Sequence, residues 1–217
     1  RFLGRLVLAI RPDHASNASR LENAIRERNR LLSDERAPDP HWMDAIEMQI
    51  VEAGAAVAAA RADLITRLEA TLAALPESPF AQPGGPIAAD ALAVALHDSR
   101  PRDRAAQRTL TGPHRDELAV TMAGRNQPAS ECSTGEQKAM LIAITLAHSQ
   151  LVESDGETRP RLLLLDEVAA HLDPVRREAL FDRLRAGSAQ VWLTGTEVAP
   201  FEAIRKEAAI WEVSAGS

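Results

Sequence analysis

Two adjacent carboxylates, Asp166 and Glu167, follow a run of four leucines, Leu162 to Leu165. Such a run predicts a strand that is buried on both faces. Carboxylates at its carboxyl end would lie at the sheet edge where open α/β folds bind ligands. Asp166 is suited to hold Mg²⁺ through water, and Glu167 is suited to polarise an attacking water molecule. The same residues also fit a bland alternative, a buried strand that ends in an acidic turn.

A second candidate lies at Ser133 to Lys138, directly before an apolar helical stretch. Ser133 and Glu136 have the spacing of a capping box, which is sufficient to explain a helix start. Capping does not explain Gly135, because Gly inside a helix costs about 1 kcal/mol relative to Ala. Close approach of a ligand to the backbone does explain it, since the N–H groups of a helix N-terminus bind phosphate. We therefore predict that Ser133 and Gly135 meet a γ-phosphate, with Thr134, Glu136 and Gln137 as further candidates for ATP contact.

A third candidate, Ala170 to Pro174, follows the carboxylate pair closely. Asp173 can cap the next helix and Pro174 can take its first position, which is a complete structural explanation. The functional alternative adds a contact of Asp173 with ATP across a dimer interface. His171 is as well explained by packing and receives no catalytic role.

The three segments occur in one order, and together they carry a resemblance. The stretch Ser133 to Gln137 resembles the signature of ABC-type ATPases, Leu162 to Glu167 resembles a Walker B motif, and Ala170 to Asp173 resembles a D-loop. Many ABC ATPases have a phosphate-sensing histidine after the next strand. Here Thr194 and Thr196 stand in that region and are candidates to replace it.

Longer stretches resemble one branch of this superfamily, the RecF family of recombination mediator proteins. They include Cys132 to Lys138, Leu164 to Asp173 and Gly112 to Asp116, and the likeness covers nearly the whole chain. The resemblance implies a cytoplasmic protein of DNA repair, replication and the SOS response. It also implies ATP and Mg²⁺ as ligands, a homodimer with ATP between two heads, DNA binding at gaps, and a RecR-type mediator protein as partner.

A phosphate-binding Walker A loop requires Gly-Lys followed by Ser or Thr. The two lysines of the chain, Lys138 and Lys206, do not follow glycine. In the family this loop belongs to an amino-terminal lobe, so we expect a truncated chain that does not bind ATP tightly or hydrolyse it alone.

Arginines dominate the segment 100–108, where Asp103 is the single acid. A solvated charge run and a phosphate-contacting patch fit it equally well. The candidates for DNA contact are Arg100, Arg102, Arg104, Arg108 and, after Gly112-Pro113, Arg115.

The elements that must position these residues are helical first and α/β later. Apolar residues at a 3.6-residue period predict helices from Arg1 to Leu75, broken near Ser33 to Pro40, and a short helix near Ala88 to Asp98. After residue 133, helices alternate with strands at Leu162 to Leu165, at Val191 to Thr194 and near Val213, which predicts an α/β layer with a parallel sheet. We expect a helical arm domain at 1–99 and the carboxyl-terminal lobe of an ABC-type ATPase head at 100–217.

Composition sets limits on the function. Cys132 is the only cysteine, so an internal disulfide is excluded and a reducing compartment fits. Aromatic residues make up 3% of the chain, which disfavours base-stacking platforms for single-stranded nucleic acid. A net charge of −6 neither supports nor excludes DNA binding. A membrane span is not predicted.

Two other functions fit parts of the pattern. One is a docking module for DNA or a partner protein, without ATPase activity. The other is the ATP-binding subunit of an ABC transporter, which shares the signature and the Walker B chemistry. The long Ala-rich arm and the missing switch histidine count against the transporter.

Overall fold

The computed structural model describes residues 2–73, 82–83, 89–116, 118–122, 125–154 and 161–213. The chain forms two compact units, residues 1–123 and residues 124–217. A helix at Ala89–Ala106 continues across the predicted boundary between residues 99 and 100. The division of the chain into an arm domain and an ATPase lobe at that boundary stays a prediction.

The first unit is helical, as predicted. Its helices are α1 (Phe2–Ile10), α2 (His14–Leu32), α3 (Pro40–Ala73) and α4 (Ala89–Ala106). The predicted break between α2 and α3 is confirmed. There Asp39 accepts a hydrogen bond from the backbone N–H of His41 at 2.9 Å, and Pro40 takes the first position of α3. These are the residue types that begin a helix.

The core of the first unit lies where α2, α3 and α4 meet. Aliphatic side chains from the three helices fill it, namely Leu21, Ala24, Ile25, Ile46, Ile50, Ala53, Val57, Leu92 and Leu96. Burial of each large aliphatic side chain stabilises the unit by about 1.5–3 kcal/mol.

A charged cluster is buried beside this core. The Arg28 guanidinium is fully buried and donates to the carboxylates of Glu47 at 2.9 Å and Asp103 at 2.7 Å. It also donates to the Thr109 hydroxyl at 3.0 Å and to the Leu96 carbonyl at 3.1 Å. Buried charges require such partners, and here the partners tie α2, α3, α4 and Thr109 together.

Helix α4 is longer than predicted and includes most of the arginine-rich segment. It continues through Pro101 and ends at Ala106. Residues 74–81 and 84–88 lie outside the described residues. Between these two segments, Gln82–Pro83 forms β1, which pairs antiparallel with β2 (Val120–Met122).

The second unit has the predicted α/β character. It contains β3 (Gln127–Pro128), α5 (Thr134–Ser154), β4 (Leu162–Leu165), α6 (Pro174–Ala186) and β5 (Gln190–Leu193). Strands β4 and β5 are parallel, with Leu162 opposite Gln190 and Leu165 opposite Leu193. The predicted α/β fold with a parallel sheet is confirmed.

Two predictions about this unit are wrong. Strand β4 is not buried on both faces, because Leu162 and Leu164 are 57% and 68% exposed while Leu165 is buried. The alternate leucines extend from a face of the sheet that the described part of this unit leaves open. The last strand is absent from residues 209–213. There the Trp211 ring stacks on Trp192 of β5 at 5.7 Å, so side-chain packing replaces strand pairing.

Among the described residues, no helix is both long enough and apolar enough to cross a membrane.

Candidate active site

The predicted carboxylate pair stands at the carboxyl end of β4, as expected. Asp166 and Glu167 are both exposed, and the adjacent end of β5 provides Thr194. The backbone N–H of Thr194 donates to the Leu165 carbonyl at 3.1 Å, which extends the parallel pairing by one residue. The extension brings Thr194 beside both carboxylates.

The Thr194 hydroxyl joins the two acidic residues. It donates a short hydrogen bond to Asp166 Oδ1 and accepts one from the backbone N–H of Glu167 at 3.1 Å. Glu167 has φ = +52°, in the left-handed region that side-chain-bearing residues seldom adopt. Such a conformation persists only where its surroundings hold it, and it is enriched at functional sites.

Gly195 continues the backbone from Thr194 under the Phe201 ring. A Cβ at this position would lie 2.6 Å from Phe201 Cε2, which is closer than real contacts allow. The turn after β5 therefore requires glycine for close approach. Thr196 follows in the same turn and is exposed.

The signature segment begins α5 through the predicted capping box. Ser133 Oγ accepts from the Glu136 N–H at 3.3 Å, and Glu136 Oε2 accepts from the Ser133 N–H at 2.9 Å. The Ser133 hydroxyl also donates to Glu136 Oε2 at 2.9 Å. Hydrogen bonds from the Ser133 backbone and side chain lower the pKa of Glu136, with smaller contributions from the charges of Arg125 and Arg176. The structural role of this pair is thus satisfied inside the chain.

Gly135 and the other signature residues lack this full explanation. A Cβ at Gly135 would meet no atom of the described chain within 4 Å, so packing does not require glycine there. Thr134 is exposed, while the Gln137 side chain donates to the Cys132 carbonyl at 3.0 Å and braces the segment. Open space above Gly135 is what backbone contact with a ligand needs.

The D-loop forms a 3₁₀ turn at Ala169–His171 that leads into α6. Asp173 caps α6, because its Oδ1 accepts from the backbone N–H of Arg176 at 2.9 Å. This hydrogen bond is the largest cause of the lowered pKa of Asp173. The capping role is therefore present, and the exposed carboxylate also faces solvent.

Arg177 is a residue that the sequence interpretation missed. Its Nε donates to the Ala169 carbonyl at 3.0 Å and its Nη2 to the Leu172 carbonyl at 2.9 Å, so one guanidinium holds both sides of the D-loop. The sequence offers one signal for this role, an arginine one helical turn after the capping Asp173. That signal does not separate Arg177 from the other arginines of α6.

The five arginines proposed for DNA contact have different environments. Arg100 donates to Glu47 Oε2 at 2.7 Å and also to Asp44, and these carboxylates raise its pKa. Arg104 donates to the backbone carbonyls of Asp34 and Glu35 at 3.1 and 3.3 Å. The remaining three are exposed, namely Arg102, Arg108 and Arg115. Those three are better placed to meet phosphate.

Comparisons with known proteins show which proteins this chain resembles. The DNA replication and repair protein RecF of Agrobacterium fabrum is 44% identical over 231 residues, which cover the whole chain and 61% of the relative. RecF of Mesorhizobium japonicum is 45% identical over 233 residues with the same coverage. The chain is similar to RecF proteins over its whole length. It spans about three fifths of the length of these curated RecF relatives.

Two further comparisons agree with that resemblance. Residues 103–186 match a family model described as SbcC/RAD50-like, Walker B motif. A solved structure of the recombination mediator protein RecF with ATP, in the RecFOR pathway, superposes with a TM-score of 0.73. It is 20% identical and covers 90% of this chain and 56% of the other, which establishes the fold. The RecF relatives are named as repair proteins, which does not favour the transporter alternative.

Proposed function

We propose that this RecF-like chain is part of an ATP-dependent DNA-binding protein that acts in recombinational repair and replication restart. In this proposal ATP is bound between the heads of a homodimer. The observation that carries it is the joint position of Asp166, Glu167 and Thr194 at the carboxyl end of two parallel strands. Open α/β sheets bind their ligands at that edge.

Glu167 is the proposed catalytic residue. Its exposed carboxylate, on a backbone held in the left-handed region, can accept a hydrogen bond from the attacking water and polarise it. Asp166 offers exposed carboxylate oxygens, the hard donors that suit Mg²⁺, so this residue fits that ion. When bound, Mg²⁺ would neutralise phosphate charge.

The signature residues are proposed to bind the γ-phosphate of ATP held by the partner head. The backbone N–H groups at the start of α5 and the open space above Gly135 support this role for 133–137. Asp173 is proposed to approach ATP at the same interface, and Thr196 is the exposed hydroxyl after β5 that can reach phosphate.

DNA is the proposed macromolecular ligand, double-stranded or gapped, with a RecR-type mediator protein as partner in the cytoplasm. The exposed side chains of Arg102, Arg108 and Arg115 support phosphate contact. Arg100 and Arg104 stay in the proposal with less support, because carboxylates or backbone carbonyls already engage them.

The test is ATP hydrolysis by the protein that the complete gene encodes, with and without double-stranded DNA. Glu167→Gln should lower turnover at least ~100-fold, the scale for losing a general base, and should accumulate an ATP-bound dimer. Ser133→Arg should block the dimer. The control is Glu178→Gln, a change of the same kind at a carboxylate on α6 that is 56% exposed. Full turnover by the Glu167→Gln protein would overturn the assignment.

A docking module without ATPase activity is the second candidate. It is favoured by the exposed side chains of Arg102, Arg108 and Arg115, which can meet the phosphates of DNA without ATP. Absence of DNA-stimulated hydrolysis from the complete gene product, together with DNA binding that is independent of ATP, would favour this candidate.

A further inference from the structure

The end of β5 carries one side chain that contacts both acidic residues of the site. Leu165 pairs with Leu193, and the next backbone hydrogen bond joins Thr194 to Leu165 at 3.1 Å. In parallel pairing this places the first residues beyond the two strands side by side. Thr194 therefore stands beside Asp166 as a consequence of the strand register.

The hydrogen-bonding capacity of the Thr194 hydroxyl is already committed. A hydroxyl has one hydrogen to donate and two lone pairs that accept. Its hydrogen goes to Asp166 Oδ1, and one lone pair accepts the backbone N–H of Glu167. While these bonds last, the hydroxyl has no hydrogen left for a phosphate oxygen.

The second of these bonds acts where the backbone is unusual. Among the described residues, positive φ outside glycine occurs at Glu167 and at Gln107 and Asn126. A glutamate in this region needs an external partner to hold it. The Glu167 N–H is held by the Thr194 hydroxyl, so this bond fixes the direction in which the Glu167 side chain leaves the backbone.

Thr194 is itself held in place. Its neighbour Gly195 lies directly under the Phe201 ring, and the space leaves no room for a Cβ. Phe201 belongs to the 3₁₀ turn Ala199–Ile204, where its N–H donates to the Val198 carbonyl at 2.9 Å. The Phe201 ring therefore lies against the backbone directly after Thr194, which limits the positions that this exposed turn can take.

We propose that Thr194 is a positioning residue for Glu167, acting through the Glu167 peptide and the Asp166 carboxylate and not through direct contact with nucleotide. This inference rests on the proposed ATP hydrolysis and deepens it. It also revises the sequence-based expectation that Thr194 contacts ATP, and leaves Thr196 as the hydroxyl that can reach phosphate.

The first test separates kcat from KM in the complete gene product. Thr194→Val removes the hydroxyl at nearly constant shape, and we expect kcat to fall about tenfold, the scale of one hydrogen bond. KM for ATP should stay within about twofold of the parent value, because Thr194 makes no contact with ATP that the substitution would remove. Thr194→Ser keeps the hydroxyl and should restore most of kcat. Thr145→Val, which removes a hydroxyl that donates only to the Leu141 carbonyl of its own helix at 2.8 Å, is the matched control and should leave kcat within about twofold of the parent.

A second readout does not depend on hydrolysis. On the present chain, NMR should show faster amide hydrogen exchange at Glu167 in the Thr194→Val protein than in the parent or the Thr194→Ser protein. Unchanged exchange at Glu167 would overturn the positioning role. A rise in KM with kcat unchanged would also overturn it, and would assign Thr194 to nucleotide contact.

The two proposals fail in different ways. If Glu167→Gln leaves turnover intact, the proposed ATPase function fails, while exchange at Glu167 still decides what Thr194 holds. If Glu167→Gln abolishes turnover and Thr194→Val leaves kcat unchanged, the function stands and the inference about Thr194 fails.

Discussion

Replacing Gly135 with alanine should have opposite effects on stability and on function. The position lies in the first turn of α5, and a Cβ there would meet no atom of the described chain within 4 Å. The substitution therefore introduces no clash. It should gain part of the ~1 kcal/mol by which alanine exceeds glycine in a helix.

For a unit of the size of residues 124–217, a gain of 1 kcal/mol raises Tm by about 4–8 °C. Because Gly135 lies in the first turn and not in the helix interior, we expect only about half of this gain. The Tm of the Gly135→Ala protein should therefore rise by about 2–4 °C. Thermal unfolding followed by circular dichroism measures this shift. A lower Tm would show that the space above Gly135 is not open.

The functional effect should have the opposite sign. A methyl group above the helix N-terminus would occupy the space through which a γ-phosphate approaches the backbone N–H groups. ATP-dependent dimerisation of the complete gene product, measured by analytical ultracentrifugation, should weaken at least ~10-fold. This is the scale expected when the phosphate loses about one hydrogen bond to the backbone.

The matched control is Gly187→Ala, at the end of α6. Its φ is −84°, and a Cβ there would make an ordinary contact with the Leu184 carbonyl at 3.6 Å. This variant should dimerise like the parent. If the Gly135→Ala protein also dimerises like the parent, glycine is not retained for ligand approach and the signature interpretation of this position is wrong.

Two further substitutions test the contacts that hold the arm and the D-loop. Arg28→Ala should lower the free energy of unfolding by about 3–5 kcal/mol in urea titrations, because Asp103 and Glu47 lose a buried partner. Arg20→Ala, which removes an exposed pair with Glu52, should cost less than about 1 kcal/mol, and equal losses would contradict the account of the cluster. Arg177→Gln should lower the free energy of unfolding by about 1.5–3 kcal/mol and weaken ATP-dependent dimerisation, since the D-loop carbonyls lose charged donors. Arg205→Gln, at an exposed i,i+3 pair, should change neither, and dimerisation by the Arg177→Gln protein at parental affinity would refute the role of Arg177 in the D-loop.

The local elements of this fold could be predicted because their signals are local. Asp39 and Pro40 begin α3, and Asp173 and Pro174 begin α6, through side-chain capping that depends on neighbouring residues alone. The strand at Leu162–Leu165 was predicted with its observed bounds for the same reason. Capping and apolar runs are properties of a few consecutive residues.

Contacts between distant residues were not predictable in the same way. The Arg28 cluster joins residues that are up to 81 positions apart. In the sequence, Arg28 does not differ from the other charged residues of a predicted helix. The exposure of Leu162 and Leu164 depends on what covers a sheet, which an apolar run does not report. Near Val213 the structure has a stacking contact between Trp192 and Trp211 where a strand was expected, and strand periodicity does not encode such a contact.

The candidate site was predictable in its residues but not in its connections. Asp166, Glu167 and Thr194 were all identified from motif position, yet their hydrogen bonds follow from the register of β4 against β5. The left-handed backbone at Glu167 has no signal in the sequence, because glycine or asparagine would be expected there. The proposed division of roles between Thr194 and Thr196 rests on the same strand register.

The Arg28 cluster also limits how the arm can diverge in sequence. Its aliphatic surroundings can exchange residues of similar volume, such as Ile for Leu, because volume-conserving swaps usually cost less than about 1.5 kcal/mol. A change of Arg28 or Asp103 alone leaves an uncompensated charge in a site from which water is excluded. A single substitution at Arg28 or Asp103 should therefore rarely be tolerated. In proteins that descend from this chain, the two residues should be replaced together or retained together.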